Sequence, residues 1–426
     1  MALTIASMGI DSNTGATDLI FGIGALLALI SLVRSWRSLV DDDFTSADRH
    51  VAMQVSVFLI PPVVVLLHEV AHAAATVSVG GTVTGFHYGL FEGAVSFTGQ
   101  LTNGQVWFIA LAGNLVSIGM GLAMVAVGGL ARRLRRPLRY ILIVGGLIEA
   151  VFGLIGYPLI SESGRFGDWL LIYDFGANPA LSWATLVVHV AVVVGLWQWW
   201  RTSLRRTLFA VTYGEEDRLR LLSAAVTSAP ADLEPRLALA NLFAGHGDLK
   251  LAEATLRDAV PTTAEPARLQ LARARLAIHE SKWTQALLAT QAGLSALDAS
   301  GPDLTGGYAI GQQLWANQGV ALTQLGRSVL ALAAFAHVDE PLMADPRVRY
   351  CRGLARLDSG DMAGGRGDLA AVAAAGYPGA GGVPDNLLAR WAEARLAGRD
   401  PEPPDDSDRP AWARRRQSPP APITGV

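Results

Sequence analysis

Long apolar runs separated by short charged segments occupy the first half of the chain, and the pattern changes near residue 200. Five runs are long enough, or nearly long enough, to span a bilayer. They cover about residues 19–33, 51–79, 106–130, 140–160 and 181–200. The pattern predicts a mainly α-helical chain whose residues 1–205 form a polytopic transmembrane helix bundle with about five spans.

Two local features interrupt these runs. Pro61-Pro62 lies within the second run, and because proline starts helices but does not continue them, we expect a new helix to begin at Pro62. Residues 80–105, between the second and third runs, combine glycines with aromatic residues and contain no Lys or Arg. This composition predicts one or two short strands with tight turns. Such a segment close to a membrane must be sheltered by protein or line a wet cavity.

Residues 206–395 show amphipathic helices at a repeating interval. Gly247-Asp248 is followed 34 residues later by Ser281-Lys282, and Gly326 is followed by Gly360-Asp361 at the same interval. This period matches tetratricopeptide-like repeats, in which paired helices cross at small residues. It predicts a helical-repeat solenoid with a concave surface for a protein partner, with unrelated alanine-rich helices as the alternative. Residues 396–426, rich in Pro, Asp and Arg, are predicted to be disordered.

Composition and charge indicate an integral membrane protein. Hydrophobic residues make up 51% of the chain and charged residues 17%. Arginines cluster within residues 132–139 and 201–206, which by the positive-inside rule places these segments and the repeat domain in the cytoplasm. The net charge of −3 and the lack of a basic patch argue against a nucleic-acid partner. The single cysteine, Cys351, excludes a disulfide framework and a cysteine-based metal site.

Arginine greatly outnumbers lysine and alanine is abundant, a composition typical of a high-GC bacterial genome. We therefore expect the protein to lie in the lipid bilayer of a bacterial cell membrane.

The second apolar run carries candidate chemistry, His68-Glu69-Val70-Ala71-His72. Histidines four residues apart project from one face of a helix and can share a metal ion, while Glu69 can reach a water beside that ion. Three ionisable residues within one turn are costly in hydrocarbon, which favours a functional role. The alternative is a chance pair of histidines that faces a water-filled crevice.

The order of features resembles the site-2 protease family of intramembrane zinc metalloproteases. An H-E-x-x-H motif in a membrane helix precedes a strand-like loop and a span with Gly156-Tyr157-Pro158 near its end, and an Asp beside a glycine follows. The resemblance covers about residues 50–175. It implies that Asp168 is the third zinc ligand. Gly167 and Trp169 flank it where the family usually has an apolar residue and a glycine. Asp174 and Glu162 are the nearest substitutes.

A hydrolytic zinc site needs three protein ligands and an open position for water. The expected ligands of Zn²⁺ are His68, His72 and Asp168, and Glu69 is the expected general base. Asn114, in the third run, is a candidate for binding a substrate carbonyl, although an asparagine there more often links helices. The lone histidines His87 and His189 are expected to be structural.

The leading hypothesis is an intramembrane zinc metalloendopeptidase that cleaves membrane-spanning regulatory proteins. The repeat domain would recruit or gate the substrate, and the loop at residues 81–104 would offer it a strand edge. The alternative is a proteolytically inactive membrane scaffold that assembles partners through its repeats. A zinc-handling membrane protein is disfavoured because the chain lacks His-rich loops. Charge bias places Asp168 towards the extracytoplasmic side, whereas the sites of family members open towards the cytosol. The sequence therefore leaves two alternatives for the side of the membrane to which the site opens.

Overall fold

The computed structural model describes residues 14–41, 44–164, 167–259, 265–300, 307–374 and 387–399. Most of the tail predicted to be disordered, residues 400–426, lies outside this part of the chain. The described chain is mainly helical, as predicted, with one small two-stranded sheet. It divides into two compact units, Met1–Glu216 and Asp217–Val426.

The first unit contains the apolar helices and the sheet. Its elements are α1 (Thr14–Arg34), α2 (Trp36–Leu39), α3 (Ser46–Phe58), α4 (Ile60–Ser78), β1 (Thr82–Tyr88), β2 (Gly93–Thr98), α5 (Asn103–Leu130), α6 (Arg136–Val151), α7 (Tyr157–Gly164), α8 (Asp168–Ile172), α9 (Pro179–Trp199) and α10 (Arg205–Tyr213). Two π-helical turns, Phe152–Gly156 and Trp200–Leu204, join α6 to α7 and α9 to α10.

Four segments are long and apolar enough to cross a membrane. They are Ser46–Ser78, Asn103–Leu130, Arg136–Ser163 and Pro179–Tyr213. Leu19–Arg34 is apolar but shorter, so the fifth predicted span stays a prediction. Four helical segments of this length and apolarity indicate a membrane protein.

The proline pair separates α3 from α4, but the new helix begins at Ile60, so the predicted start at Pro62 was two residues late. Both prolines lie in its first turn. N–H groups in the first turn of a helix have no intrahelical partner, so a proline there costs no hydrogen bond. His68 and His72 consequently lie in the third and fourth turns of α4.

The strand prediction for the following segment is confirmed by an antiparallel hairpin of β1 and β2. Thr82 pairs with Thr98 at its open end and Tyr88 with Gly93 near its turn. The Phe91 ring in the turn packs against Phe21 of α1, with centroids 5.0 Å apart. The Tyr88 hydroxyl donates to the carbonyl of Pro62 at 2.8 Å. These contacts hold the hairpin over the start of α4.

Close packing of α5 against α6 depends on glycines. A Cβ built at Gly121 would lie 2.8 Å from the carbonyl oxygen of Gly146, and one at Gly128 would lie 2.8 Å from that of Arg139. Small residues at such crossings let the backbones of membrane helices approach. Because α5 also contacts α4, this packing gives one rigid wall to the region around the H-E-x-x-H motif.

In the part of the chain that the structure describes, the second unit is built of helices. They are α11 (Glu216–Ser228), which begins at the boundary, α12 (Leu233–Gly245), α13 (Leu249–Arg257), α14 (Pro266–His279), α15 (Trp283–Ser300), α16 (Gly307–Gln324), α17 (Ser328–Phe335), α18 (Glu340–Met343), α19 (Pro346–Asp358), α20 (Met362–Ala374) and α21 (Leu387–Leu396). Buried side chains form a continuous apolar core from Ala277 to Ala392.

Four of its turns share one geometry. Gly247, Ser281, Gly326 and Gly360 all have positive φ, at 80°, 55°, 71° and 94°. In each case the next residue's N–H bonds to the carbonyl five positions earlier, as from Asp248 to Phe243 at 2.9 Å. This is the Schellman helix ending, which favours glycine because the residue is left-handed. The positions predicted from the 34-residue period therefore form equivalent helix–turn–helix pairs, while a solenoid of tetratricopeptide type stays a prediction.

Candidate metal centre

Three predicted ligands come together at one point of the first unit. His68 and His72 lie one turn apart on α4, and Asp168 is the first residue of α8. Asp168 Oδ2 is 3.0 Å from His68 Nε2 and 3.1 Å from His72 Nε2, and the two Nε2 atoms are 2.9 Å apart. The structure thus brings together two imidazole nitrogens and one carboxylate oxygen, a group that could hold a metal ion.

Hydrogen bonds on the far side of each ring set its orientation. His72 Nδ1 lies 2.7 Å from the carbonyl oxygen of Ile109, and because a carbonyl only accepts, Nδ1 must carry the proton. His68 Nδ1 is 3.0 Å from Ser117 Oγ, so this ring also has a partner on α5. Metal-binding histidines are typically held in this way, with one ring nitrogen bonded to the protein and the other directed at the ion.

Asp168 is held by its own set of contacts. Its Oδ2 accepts from Asn114 Nδ2 and from the Tyr157 hydroxyl, each at 3.2 Å. Gly167, just before it, has φ of 95°, and a Cβ there would lie 2.8 Å from both the Tyr157 hydroxyl and Ser161 Oγ. The glycine before the acid is therefore required by backbone conformation and by space.

Gly113 allows the backbone of α5 to pass directly beside the ligand group. A Cβ at this position would lie 2.8 Å from His68 Nε2 and would also press on His72 Nε2. Any larger residue would occupy the space into which the ligand atoms converge. Helix α5 therefore packs directly against the two histidine rings on this side of the site.

The donor set fits a divalent metal of the zinc type. Two histidine nitrogens and one carboxylate oxygen are among the ligands that zinc takes in hydrolytic sites. Ligands at ~2.0 Å from a tetrahedral ion lie about 3.3 Å apart, close to the 2.9–3.1 Å separations between these atoms. Atoms this close need a cation or a shared proton between them, because two nitrogen lone pairs and a carboxylate repel one another. The residues present therefore fit a bound metal.

Glu69 lies beside this group without belonging to it. Its side chain is buried, and Oε2 has no hydrogen-bond partner among the described residues. Its carboxylate is within electrostatic reach of His68, His72 and Asp168. Since a buried carboxylate oxygen rarely goes unpaired, Oε2 is available to accept a hydrogen bond from a bound water or substrate.

The structure places Asp174 and Glu162 away from the ligand group and Asn114 in contact with it. Asp174 is exposed and accepts from the backbone N–H groups of Gly176 and Ala177, and Glu162 is exposed. Neither alternative acid joins the two histidines. Asn114 is 1% exposed, and its amide donates to the carbonyl of Ala110 and to Asp168. It therefore orients the carboxylate of Asp168, the third candidate ligand.

Sequence reasoning missed Ser117, Tyr157 and the carbonyl of Ile109. For Ser117 a signal existed, because it follows Gly113 by four residues and Asn114 by three, which puts it on their side of an apolar helix. Tyr157 lies within the quoted Gly156-Tyr157-Pro158 segment. No sequence signal marks a backbone carbonyl as a histidine partner.

Comparison with known proteins gives no further guide. The chain matches no protein-family model, no curated protein and no solved structure. The assignment of function thus rests on the residues and their geometry.

Proposed function

We propose that this protein is an intramembrane zinc metalloprotease of the site-2 type, which hydrolyses peptide bonds of membrane-spanning proteins. The convergence of His68, His72 and Asp168 around one point, beside the unpaired oxygen of Glu69, supports this proposal most directly. The group lies between helices apolar enough to span a membrane, which favours a substrate that is itself in the membrane.

The roles of the chain's own residues follow from their positions. His68, His72 and Asp168 would hold a zinc ion, which supplies Lewis acidity and acidifies a water molecule. Glu69 takes the proton from the attacking water and passes it to the leaving amine. Asn114 and Tyr157 keep the Asp168 carboxylate turned towards the histidines.

The hairpin supports the proposal from the substrate side. A transmembrane helix hides its carbonyls in its own hydrogen bonds, so the scissile segment must be extended when Glu69 acts. The two strands pair only with each other in the described chain, and each leaves an edge. β2 begins beside Glu69, and this closeness supports substrate binding by strand addition to the hairpin.

The second unit completes the proposal. Its equivalent helix–turn–helix pairs support a tetratricopeptide-like array that recruits or gates the substrate. We place this unit in the cytoplasm of a bacterial cell, on the basis of the arginines at residues 132–139 and 201–206.

Zinc content of the detergent-purified protein is the first test. We expect about one zinc per chain in the wild type and loss of zinc in His72→Ala and Asp168→Ala. Glu69→Gln should retain zinc. Absence of zinc from the wild type after metal-supplemented purification would contradict the proposal.

Proteolysis is tested with Glu69→Gln. Membrane fractions of cells that express the wild type or the variant are compared by mass spectrometry for fragments cut within a transmembrane segment. We expect such fragments only with the wild type. Equal fragments in both, or none in either while zinc is bound, would favour the inactive scaffold.

A further inference from the structure

His189, near the middle of α9, contacts both segments that hold Asp168 in place. Its Nε2 lies 2.6 Å from the carbonyl oxygen of Leu154, and its Nδ1 lies within hydrogen-bond distance of the Tyr173 hydroxyl. A carbonyl only accepts, so Nε2–H donates to Leu154 and Nδ1 accepts from Tyr173. The imidazole therefore bridges two chain segments through opposite sides of its ring.

The carbonyl of Leu154 lacks the hydrogen-bond donor that an α-helix would normally supply. In an α-helix it would accept from the N–H of residue 158, but Pro158 has none. The chain forms the π-helical turn Phe152–Gly156 at this point. Neighbouring helices commonly supply the missing donor where proline interrupts a membrane helix, because an unpaired carbonyl is costly there. His189 thus fastens α9 to the turn that leads into Tyr157.

The other side of the imidazole fastens α9 to the helix of the third ligand. Tyr173 follows the last residue of α8, and Trp169, beside Asp168, stacks on the His189 ring with centroids 4.8 Å apart. Trp169 is only 2% exposed. A helix of five residues has little stability of its own, so its contacts with neighbouring elements determine where α8, and with it Asp168, lies. α5 and α7 supply some of these contacts, and His189 of α9 adds the stacked ring and the bond to Tyr173.

We propose that His189 is a positioning residue for the metal centre. It ties the proline-interrupted turn before Tyr157 to the short helix that begins with Asp168, and so holds the carboxylate within reach of both metal-binding histidines. The inference rests on the proposed function, since it takes the ligand group as a metal site. This role of His189 also explains why a tryptophan follows Asp168, because the Trp169 ring stacks on the His189 ring.

The test uses Co²⁺ as the probe with the full chain purified in detergent. The dissociation constant is measured by competition with a chelator, and the visible spectrum of bound Co²⁺ reports ligand geometry. The variants are His189→Leu, Tyr173→Phe and the double variant. Val188→Ala is the control, because it changes the adjacent residue of α9, whose side chain is 62% exposed.

We expect His189→Leu to weaken Co²⁺ binding by about tenfold and to alter the spectrum, as changes behind a metal ligand commonly do. Tyr173→Phe should change the Co²⁺ affinity and the spectrum in the same direction. The double variant should bind about as weakly as His189→Leu alone, because both changes remove one bridge. Val188→Ala should match the wild type.

Binding within about twofold of wild type in His189→Leu, or fully additive losses in the double variant, would overturn the inference. Should His189→Leu fail to fold, Tyr173→Phe decides, since it removes a single oxygen atom. A wild type that binds no Co²⁺ overturns this inference together with the proposed function. Tight binding in the wild type with unchanged variants overturns this inference alone.

Discussion

Gly93, the first residue of β2, lies directly against the side chain of Glu69. A Cβ built on Gly93 would come within 2.6 Å of Glu69 Oε1. The hairpin therefore covers one oxygen of the carboxylate while the other, Oε2, has no partner among the described residues. A position without a side chain is what allows the strand and the carboxylate to meet.

Gly93→Ala tests this relationship. The added methyl would push the carboxylate from its position, and we expect proteolysis to fall by at least about tenfold because misplacement of a catalytic group is costly. Zinc content should not change, since Glu69 is not a ligand. Gly85→Ala is the matched control on the same hairpin, where a Cβ makes ordinary contact with Ser96 at 3.4 Å. Full activity of Gly93→Ala would show that the contact is unimportant.

Gly113→Ala should impair metal binding itself. The methyl would lie against the Nε2 atoms of His68 and His72, and we expect affinity for zinc to fall by more than about tenfold. Gly119→Ala on the same helix meets no described atom within 4 Å and should bind zinc like the wild type. Chelator competition measures both. Equal affinities would place the metal away from this wall of the site.

Asn114→Ala distinguishes two roles for the same side chain. Because its amide donates to Asp168, we expect zinc affinity to fall by about tenfold. If Asn114 instead bound the substrate carbonyl, zinc affinity would be unchanged and KM would rise. Zinc titration beside steady-state proteolysis separates these outcomes.

Cys351 should resist thiol reagents in the folded protein. Burial raises the pKa of its thiol to about 12, and only the thiolate is reactive, so at pH 8 we expect labelling to require unfolding of the second unit. Labelling by a chromogenic disulfide reagent should be slow in buffer and rapid in urea. Labelling in buffer as rapid as in urea would contradict the burial of this residue.

Ser281→Gly should stabilise the second unit. Ser281 is the one non-glycine residue with positive φ in the described chain, at a turn where three equivalent positions are glycine. Relief of this strain is worth about 0.5–1 kcal/mol after the entropic cost of glycine. The change should slow Cys351 labelling at intermediate urea, whereas Gly326→Ser should accelerate it. Unchanged labelling in both variants would contradict the shared turn geometry.

Much of the architecture could be predicted because it is encoded locally. Apolar runs and their proline and glycine interruptions predicted the mainly helical chain and the hairpin after α4, and both are present. The run at residues 19–33 was predicted to span the membrane, but the corresponding helix is shorter than the four candidate spans. When an apolar run is close to the minimum length for crossing a bilayer, its composition does not decide whether it spans the membrane.

The candidate metal centre was likewise predictable only where a local pattern encodes it. The four-residue spacing of His68 and His72 alone places both on one face of a helix, because the helical period is local. Asp168, 100 residues away from His68, could only be inferred through a resemblance, with Asp174 and Glu162 as alternatives. Its contact with both histidines depends on how α8 packs, which no local pattern encodes.

By itself, the sequence determined the four-residue spacing of His68 and His72, the apolar runs long enough to span a membrane and the 34-residue period, since each is a local pattern along the chain. Only the tertiary structure decided which acid meets the histidines and which glycines, Gly93 and Gly113, make room for them. It also decided that His189 supplies the hydrogen bond that Pro158 cannot. These are contacts between distant segments, and they depend on where helices pack.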